Sequence, residues 1–595
     1  MPNPFSVFTP EGLTAQEVVS IFYPEMPGLG SIQNGGHAFI IGARGSGKSI
    51  LFRYHEPDCQ RLETGKALAE LPYVSLYVSF RETQAQISEL ARFSDRHGEV
   101  FFNEHLLVLA IGAQIVLRLL RNNPVDDGPL PSAALDQYRE VLGLLTGVDP
   151  EDVTIGTKDA LRAVAATLQK QYRRAIQFVK RHGFKTEILP YTDDLFGFDD
   201  LLLPLVDLIR AALVIPEATP VLLLLDDADS LTFTQTRIVN SWVARRLHTR
   251  CSLKVAAQIT AYKSMLTVYD TRIEAPHDYH EINLSDPTSK ASEKAYVSRI
   301  AGIVQRRLRT VGLIKAADKF FEEDNLQRLA IEREAKRITS EWGERGRGHR
   351  ARDDAYRYAR PNYIAGLGGT RKSRSSYSYS GFDQLVHISS GVTRFFLEAA
   401  ADMWDKAEEA APRGSKGVTF IAPHIQNDVV REHASRQMIG DLKDLQKDVE
   451  RLKGDPQQAI QLTNLINGLG ALFESALIDN SLSERKLFSF ALTDDPAPHI
   501  EDVLALGIRY GYFFQGIIGR KEGTGRAPLY ILSRRLAPLF NLDPMGFSGY
   551  KFLPARTIEM LMNEPEKARL SLRRTRSHLD PNQMTIDFDD GGDHA

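Results

Sequence analysis

The sequence predicts an α/β fold built on a doubly wound parallel sheet, and three observations lead to this prediction. A short apolar run from His37 to Ile41 enters a glycine-rich loop, and a helical pattern begins near Lys48. A second apolar run, Val221–Asp226, is continuous, which is typical of a central strand covered on both faces. Helical patterns separate these runs, as the crossovers between parallel strands require.

Three further segments have the composition of strands: Tyr73–Phe80, Leu253–Thr260 and His280–Leu284. Between the second and third strands, residues 83–219 have an entirely helical pattern. Before Gly183, a stripe of apolar residues recurs there at steps of three and four: Leu161, Val164, Leu168, Tyr172, Ala175 and Val179. We expect this stripe to be the buried face of a long helix in an insertion.

The loop after the first strand has the pattern G-x-x-x-x-G-K-S. Its residues are Gly42, Ala43, Arg44, Gly45, Ser46, Gly47, Lys48 and Ser49. Glycines in such a loop let backbone N–H groups turn inward around a phosphate. Lys48 can then reach the β- and γ-phosphates, and the Ser49 hydroxyl can hold Mg²⁺. The pattern predicts a nucleotide site that uses ATP and Mg²⁺.

Two carboxylates follow the third predicted strand. Asp226 is placed to orient Mg²⁺, and Asp227 is the candidate general base that would polarise the attacking water. Asp227 is one methylene shorter than glutamate, so we expect slow hydrolysis. At the end of the fourth strand, Gln258 and Thr260 are both candidates for contacting the γ-phosphate, and the sequence does not choose between them.

Arginines near the end of this region are candidates for reaching the nucleotide of a neighbouring subunit. Arg272 lies just before the fifth predicted strand, and Arg245 and Arg246 on the preceding helix compete for the same role. For each of them taken singly, a plain surface arginine is the better explanation.

Length and composition set the broad class. The 595 residues suggest three or four units, and a hydrophobic fraction of 43% is enough for several cores. The net charge of −3 gives no global attraction to nucleic acid, so any such surface must be local. Two cysteines rule out a disulfide framework, and the apolar run Leu106–Leu120 is too short to span a bilayer. We expect a cytoplasmic protein without a membrane interaction.

The C-terminal half contains two candidate nucleic-acid surfaces. Residues 343–380 mix arginines and tyrosines in a low-complexity, mobile insertion that could contact a single strand. Residues 461–545 predict a winged helix-turn-helix: two helices, then two strands joined by a basic hairpin. The predicted phosphate contacts are Arg509, Arg520, Lys521, Arg526, Arg534 and Arg535. Docking of a protein is the alternative use for both surfaces.

The chain resembles the AAA+ ATPases of the origin-recognition (initiator) type. The resemblance is carried by the P-loop, by Asp226-Asp-Ala-Asp229, by the strand at Leu253–Thr260 and by His387-Ile-Ser-Ser-Gly-Val-Thr-Arg394. It implies that Arg394 is the sensor 2 arginine of a helical lid and reaches the bound phosphates. Three features depart from the family pattern: the long helical insertion, the Arg/Tyr insertion in the lid and the aspartate at position 227.

The predicted organisation follows from these assignments. Residues 1–35 form an N-terminal arm, and residues 36–285 form the P-loop core with its helical insertion. The remaining predicted parts are a helical lid (286–410), a charged linker helix (411–460), the winged-helix-like domain (461–545) and a C-terminal segment with an acidic tail (546–595).

The leading functional hypothesis is an ATPase acting at DNA, in replication, mobile-element maintenance or phage defence, and forming a homo-oligomer with ATP. The alternative is a slow nucleotide switch that resembles the STAND NTPases and recruits a protein effector. A DNA-binding scaffold without catalysis is a third, weaker hypothesis. In the tail, Gln583, Ile586 and Phe588 resemble the anchors of a peptide that docks on a bacterial sliding clamp.

Overall fold

The structure is a computed structural model in which the chain divides into two compact units. The N-terminal unit is Phe8–Ser285, and the C-terminal unit combines Met1–Val7 with Asp286–Ala595. The structure describes residues 2–7, 9–25, 29–81, 98–122, 125, 128–148, 154–183, 191–245, 251–258, 261–284, 290–342, 351–367, 377–412, 417–451, 455–480, 482, 484–520, 525–545 and 549–565.

A parallel sheet lies at the centre of the N-terminal unit. Its strands are β1 (Ala38–Ile41), β2 (Val74–Ser79), β3 (Val221–Asp226), β4 (Ser252–Ala257) and β5 (His280–Asn283). They are hydrogen-bonded in the order β2-β3-β4-β1-β5, and every pair is parallel. All five predicted strands are present, and the predicted doubly wound α/β fold is confirmed.

The continuous apolar run of β3 is explained by burial on both faces of the sheet. Leu223 and Leu225 belong to one hydrophobic core, whereas Leu222 and Leu224 belong to the core on the opposite side. Because side chains alternate between the two faces, a strand covered on both sides is apolar at every position. The polar residue that ends the run, Asp226, is therefore placed at the carboxyl edge of the sheet.

Helices cover the sheet and form the insertion between β2 and β3. They are α1 (Ala15–Ile21), α2 (Leu29–Gln33), α3 (Lys48–His55), α4 (Pro57–Thr64), α5 (Gly98–Asn122), α6 (Ser132–Thr146), α7 (Thr157–Gly183), α8 (Leu203–Ala212) and α9 (Phe233–Ala244). Helices α5 to α8 belong to the predicted insertion. The predicted stripe on α7 is its buried face: Leu161, Val164, Leu168, Ala175 and Val179 are buried, and Tyr172 is partly buried.

Helix α5 is long and apolar enough to cross a membrane, and it is the one such helix among the described residues. Most of its apolar stretch is buried inside the protein, where α5 packs against α7. This burial agrees with the prediction of a core helix.

The segment before β1 is part of the N-terminal unit's packing. Thr14 caps α1, since its side chain accepts a hydrogen bond from the backbone of Glu17. Val18 on α1 and Ile32 on α2 are buried in the same core as Ala38 of β1. The predicted arm over residues 1–35 thus contributes core residues.

The C-terminal unit combines many helices with a second sheet. The helices are α10 (Lys290–Thr310), α11 (Ala317–Phe320), α12 (Asn325–Ser340), α13 (Ala351–Leu367), α14 (Phe382–Ile388), α15 (Thr393–Ala410), α16 (Pro423–Arg436), α17 (Leu442–Arg451), α18 (Gln457–Ile478), α19 (Pro498–Arg509) and α20 (Ala555–Asn563). The strands are β6 (Leu487–Leu492), β7 (Phe513–Gly519), β8 (Arg526–Leu532) and β9 (Gly549–Leu553), hydrogen-bonded in the order β7-β8-β6-β9.

This second sheet extends past residue 545. Strand β9 pairs in parallel with β6, and α20 packs against α18. The predicted order of two helices and then two strands is present from 461 to 545 as α18, α19, β7 and β8, and a further strand, β6, lies between the two helices. The winged-helix assignment itself stays a prediction.

The Arg/Tyr-rich insertion is helical in its described residues 351–367, so the prediction of a mobile, low-complexity segment is wrong for that part, while residues 343–350 and 368–376 lie outside the described residues. Residues 351–367 form α13, whose Ala355, Ala359 and Ile364 are buried. Tyr377 and Tyr379 are also buried, and the hydroxyl of Tyr379 donates to the backbone carbonyl of Leu542 at 2.9 Å. These two tyrosines are therefore not available for stacking on bases.

The first residues of the chain belong to the C-terminal unit. The ring of Phe5 is fully buried, with its centroid 5.8 Å from those of Phe320 and Phe321 and 6.2 Å from that of Trp404. Arg307 fixes the adjacent backbone, since its Nη1 donates to the carbonyl of Pro4 at 2.7 Å.

Candidate active site

The P-loop joins β1 to α3 and has the backbone shape of an anion-binding loop. Gly45 and Gly47 have φ values of +87° and +103°, a region in which other residues are strained. Such turns gather backbone N–H groups at the beginning of a helix, where the helix dipole also favours an anion. Ser46 is buried in this loop, and its Oγ has no hydrogen-bond partner in the described structure. The loop therefore offers donors that a phosphate would satisfy.

Lys48 is the first residue of α3 and lies close to three carboxylates. Its Nζ donates to the carbonyl oxygens of Gly42 at 2.9 Å and Ala43 at 3.1 Å. Burial lowers the pKa of Lys48, and the charges of Asp226, Asp229 and Asp227 oppose that shift. The ammonium group is thus held by its own loop and could exchange these carbonyls for phosphate oxygens.

Asp226 ends β3 and is fully buried next to the P-loop helix. Its Oδ1 accepts the backbone N–H of Asp227 at 2.8 Å, and the side chain of Ser49 lies close to the carboxylate. Burial and the charge of Asp227 raise the pKa of Asp226 to about 6, although the Ser49 side chain and the Asp227 N–H lower it. The structure therefore brings together the two predicted metal ligands, Ser49 and Asp226.

The donor set fits Mg²⁺ bound together with phosphates. The ion prefers oxygen ligands and keeps several waters, so one carboxylate and one hydroxyl are sufficient protein ligands beside a triphosphate. Across the residues that the structure describes, no group of three His, Cys, Asp or Glu side chains could hold a metal by itself. Ser49 and Asp226 would hold the ion only when a nucleotide supplies further oxygens.

Asp227 points toward the end of β2. Its backbone has a φ of +55°, its Oδ2 accepts from the hydroxyl of Ser79 at 3.2 Å, and its Oδ1 lies 3.2 Å from Arg81 Nε. Burial raises the pKa of Asp227, and the neighbouring Arg81 partly offsets this. The candidate base is thus held by two residues that the sequence analysis did not single out.

Ser79 and Arg81 become recognisable only once the pairing of β2 with β3 is known. β2 pairs directly with β3, and Ser79 stands opposite Asp226 in the register. Polar residues at the carboxyl ends of neighbouring parallel strands meet at one edge of the sheet. The alternating pattern of Tyr73–Phe80 identified the strand but gave no reason to assign Ser79 a role.

The residues predicted near the γ-phosphate have different surroundings. Gln258 is half-buried directly after β4, and β4 lies between β1 and β3 in the sheet. Thr260 and Arg246 lie outside the described residues. Arg272 is exposed, and Arg245 is paired with Asp199.

Arg394, the predicted sensor 2 residue, belongs to the C-terminal unit. It is half-exposed in the first turn of α15, directly after a turn in which Ser390 and Gly391 have positive φ values of +54° and +79°. The hydroxyl of Ser390 accepts the backbone N–H of Arg534 at 2.8 Å. The predicted roles of Arg394, Arg272 and Gln258 toward a nucleotide stay predictions.

The predicted DNA contacts fall into two groups. Arg509, Arg520 and Arg526 are exposed at the end of α19 and on the β7–β8 hairpin, and Lys521 lies outside the described residues. Arg534 and Arg535 are half-buried and have protein partners, and their predicted contacts with DNA stay predictions. The guanidinium of Arg535 lies 3.9 Å from the ring centroid of Phe395, and Arg534 Nη1 lies 3.1 Å from His387 Nδ1. The tail motif with Gln583, Ile586 and Phe588 also lies outside the described residues.

A P-loop after β1, a carboxylate after β3 and a parallel sheet covered by helices define the class of a P-loop NTPase. The family model of the ORC-CDC6-like proteins matches residues 3–345 and 342–552, so the chain belongs to this family of origin-recognition-like AAA+ ATPases, which is related to replication initiation. Comparison with the curated proteins gives no match.

Proposed function

We propose that the protein binds ATP with Mg²⁺ in the P-loop and hydrolyses it slowly, and that it acts at DNA. The observation that supports the first part most directly is the proximity of the Ser49 side chain to the Asp226 carboxylate beside the positive-φ glycines of the loop. These two side chains come from different elements, α3 and β3, and a metal–triphosphate pair would explain why they converge.

Each site residue would have one task. Lys48 would bind the β- and γ-phosphates, and Ser49 with Asp226 would hold the metal ion. Magnesium, when bound, neutralises the charge on the phosphates. Asp227 would orient the attacking water and take up its proton, provided that its carboxylate is free of Ser79 and Arg81.

The second candidate function is a nucleotide switch with little turnover. It is favoured by the contacts of Asp227, which is shorter than glutamate and is engaged by Ser79 and Arg81. If these contacts persist with ATP bound, the nucleotide would stabilise a conformation that recruits an effector. Homo-oligomerisation with ATP fits either function.

We expect Asp227→Asn to lower the ATP hydrolysis rate by about 100-fold while leaving ATP affinity within about twofold of wild type, because the amide cannot accept a proton. Steady-state phosphate release and titration with a fluorescent ATP analogue measure the two quantities. Asp136→Asn, which changes a highly exposed carboxylate on α6 away from the site, is the matched control. Hydrolysis by Asp227→Asn at the wild-type rate would show that Asp227 is not the base.

The two candidate functions differ in what activates turnover. DNA-stimulated hydrolysis by the wild-type protein supports an ATPase acting at DNA. Negligible turnover with ATP-dependent assembly, measured by light scattering, supports the switch. Arg81→Ala separates them further, since releasing Asp227 should raise turnover if the ion pair restrains it.

The β7–β8 hairpin is the better candidate for DNA contact than α19. The exposed positions of α19 include Glu501 and Asp502 beside Arg509, and these carboxylates would repel a phosphate backbone. On the hairpin, Arg520 and Arg526 are exposed, and Arg520 pairs only loosely, at 3.4 Å, with the highly exposed Asp495. Such a surface pair contributes little, so Arg520 remains able to bind phosphate.

The double variant Arg520→Ala/Arg526→Ala is expected to bind duplex DNA about tenfold more weakly. The slope of log affinity against log salt concentration should fall in magnitude by about two units, because binding releases fewer counterions when two phosphate contacts are lost. Fluorescence anisotropy with a labelled duplex at several salt concentrations measures both. Arg162→Ala/Arg173→Ala, which removes two exposed arginines of α7, is the charge-matched control. An unchanged slope would remove the hairpin from the interface.

A further inference from the structure

Tyr77, on β2, contacts the carboxylate oxygen of Asp226 that does not accept the backbone hydrogen bond from Asp227. The hydroxyl of Tyr77 donates to Asp226 Oδ2 at 3.1 Å, while Asp226 Oδ1 accepts the N–H of Asp227. Glu11 Oε1 lies 3.3 Å from the same hydroxyl and is the more distant acceptor. Both oxygens of Asp226 thus have a fixed donor, which determines how the carboxylate is oriented toward Ser49.

The ring of Tyr77 is in turn covered by an arginine from the helical insertion. The guanidinium carbon of Arg118, on α5, lies 4.2 Å from the ring centroid, well within the range of a cation–π contact. The positive charge over the ring strengthens the phenol as a hydrogen-bond donor to Asp226.

Arg118 is itself held in place. Its Nε and Nη2 donate to the two oxygens of Glu56 at 2.7 and 2.6 Å, a bidentate pair at the junction of α3 and α4. Asn122 of α5 donates to the same carboxylate at 3.2 Å, and Arg53 of α3 approaches it at 3.5 Å. Both members of the bidentate pair are almost completely buried. A rigid chain of contacts therefore connects α5 to Asp226.

We propose that Tyr77 and Arg118 are positioning residues for Asp226, and that Arg118 makes the helical insertion a part of the magnesium site. The inference rests on the proposed function and deepens it, since it assigns to the insertion an influence on how tightly the metal is held. A shift of α5 relative to β2 would change the orientation of Asp226 without any contact to the nucleotide.

The test uses the full chain and measures the Mg²⁺ concentration that gives half-maximal binding of a fluorescent ATP analogue. We expect Tyr77→Phe to raise this concentration about tenfold, as the loss of an outer-shell hydrogen bond does at other metal sites, with unchanged analogue affinity in EDTA. Tyr73→Phe removes another buried tyrosine hydroxyl just before β2 and is the matched control. Melting curves verify that each variant is folded.

Arg118 is tested by two variants because its removal would leave the buried carboxylate of Glu56 without its bidentate partner. Arg118→Met is expected to raise the Mg²⁺ requirement about threefold to tenfold, and Arg118→Lys, which keeps a charge, by less. Combined with Tyr77→Phe, neither should add a further increase, because Arg118 acts through the phenol.

Two results would count against the proposal, and they are distinguishable. A wild-type protein that binds the analogue equally with and without Mg²⁺ would overturn the proposed function, and this inference with it. A wild-type protein that requires Mg²⁺, together with a folded Tyr77→Phe variant of unchanged Mg²⁺ requirement, would overturn only the positioning role.

Discussion

Replacing Lys48 by alanine is expected to weaken ATP binding by about 100-fold while leaving the N-terminal unit folded. Charge-assisted hydrogen bonds contribute about 1.5–3 kcal/mol each, and the upper end of this range corresponds to that loss of affinity. The present partners of Nζ are two carbonyl oxygens of an open loop, Gly42 and Ala43. Since alanine is a strong helix former at the first position of α3, little stability is lost.

Titration with a fluorescent ATP analogue measures the affinity, and a melting curve without nucleotide verifies the fold. Lys66→Ala, an exposed lysine after α4, removes the same charge elsewhere in the unit and should bind normally. Normal affinity in Lys48→Ala would show that the loop does not bind the phosphates of ATP.

Asp226→Asn is expected to abolish Mg²⁺-dependent hydrolysis and, at the same time, to stabilise the nucleotide-free protein. The carboxylate is buried beside Asp227, and its pKa is raised to about 6 from its ordinary value of 3.8. The folded protein then binds a proton between those pH values that the unfolded chain does not, so the free energy of unfolding falls as pH rises through this range. An amide has no charge to bury and can still accept from the Asp227 backbone.

Melting of the nucleotide-free protein at two pH values measures this effect. At pH 8 we expect the variant to melt about 3 °C or more above wild type, and at pH 5 the difference should shrink because the wild-type carboxyl is largely protonated. A difference that is equal at both pH values would assign the stabilisation to something other than the charge of Asp226. A variant that melts below wild type at pH 8 would contradict the idea that the buried charge of Asp226 destabilises the nucleotide-free protein.

Much of the N-terminal unit could be predicted because its signals are local. The apolar run Val221–Asp226 and the glycine loop before Lys48 each specify a strand or a turn within a few residues. The buried stripe of α7 follows from its three- and four-residue spacing. The convergence of Ser49 and Asp226 was predictable as well, because sequence order and strand type together place both at one edge of the sheet.

The contacts that could not be predicted from the sequence join residues that are far apart along the chain. Arg535 reads as a solvent-exposed charge until Phe395, 140 positions earlier, covers it. Tyr77 reads as an ordinary strand residue, since its acceptor Asp226 is 149 positions away. In α13 a weak local signal did exist, since the buried Ala355 and Ala359 are four residues apart, but the many arginines and tyrosines around them suggested a loop.

The position of Phe5 gives the chain an unusual connectivity. Residues before Phe8 belong to the C-terminal unit, so the polypeptide leaves that unit, builds the whole N-terminal unit and returns at Asp286. The N-terminal unit is in effect a domain inserted into the other, with two covalent connections. A fragment that begins at Asp286 would lack Phe5, whose ring packs against Phe320, Phe321 and Trp404. Fragment complementation of the C-terminal unit would therefore require the first seven residues as a separate peptide.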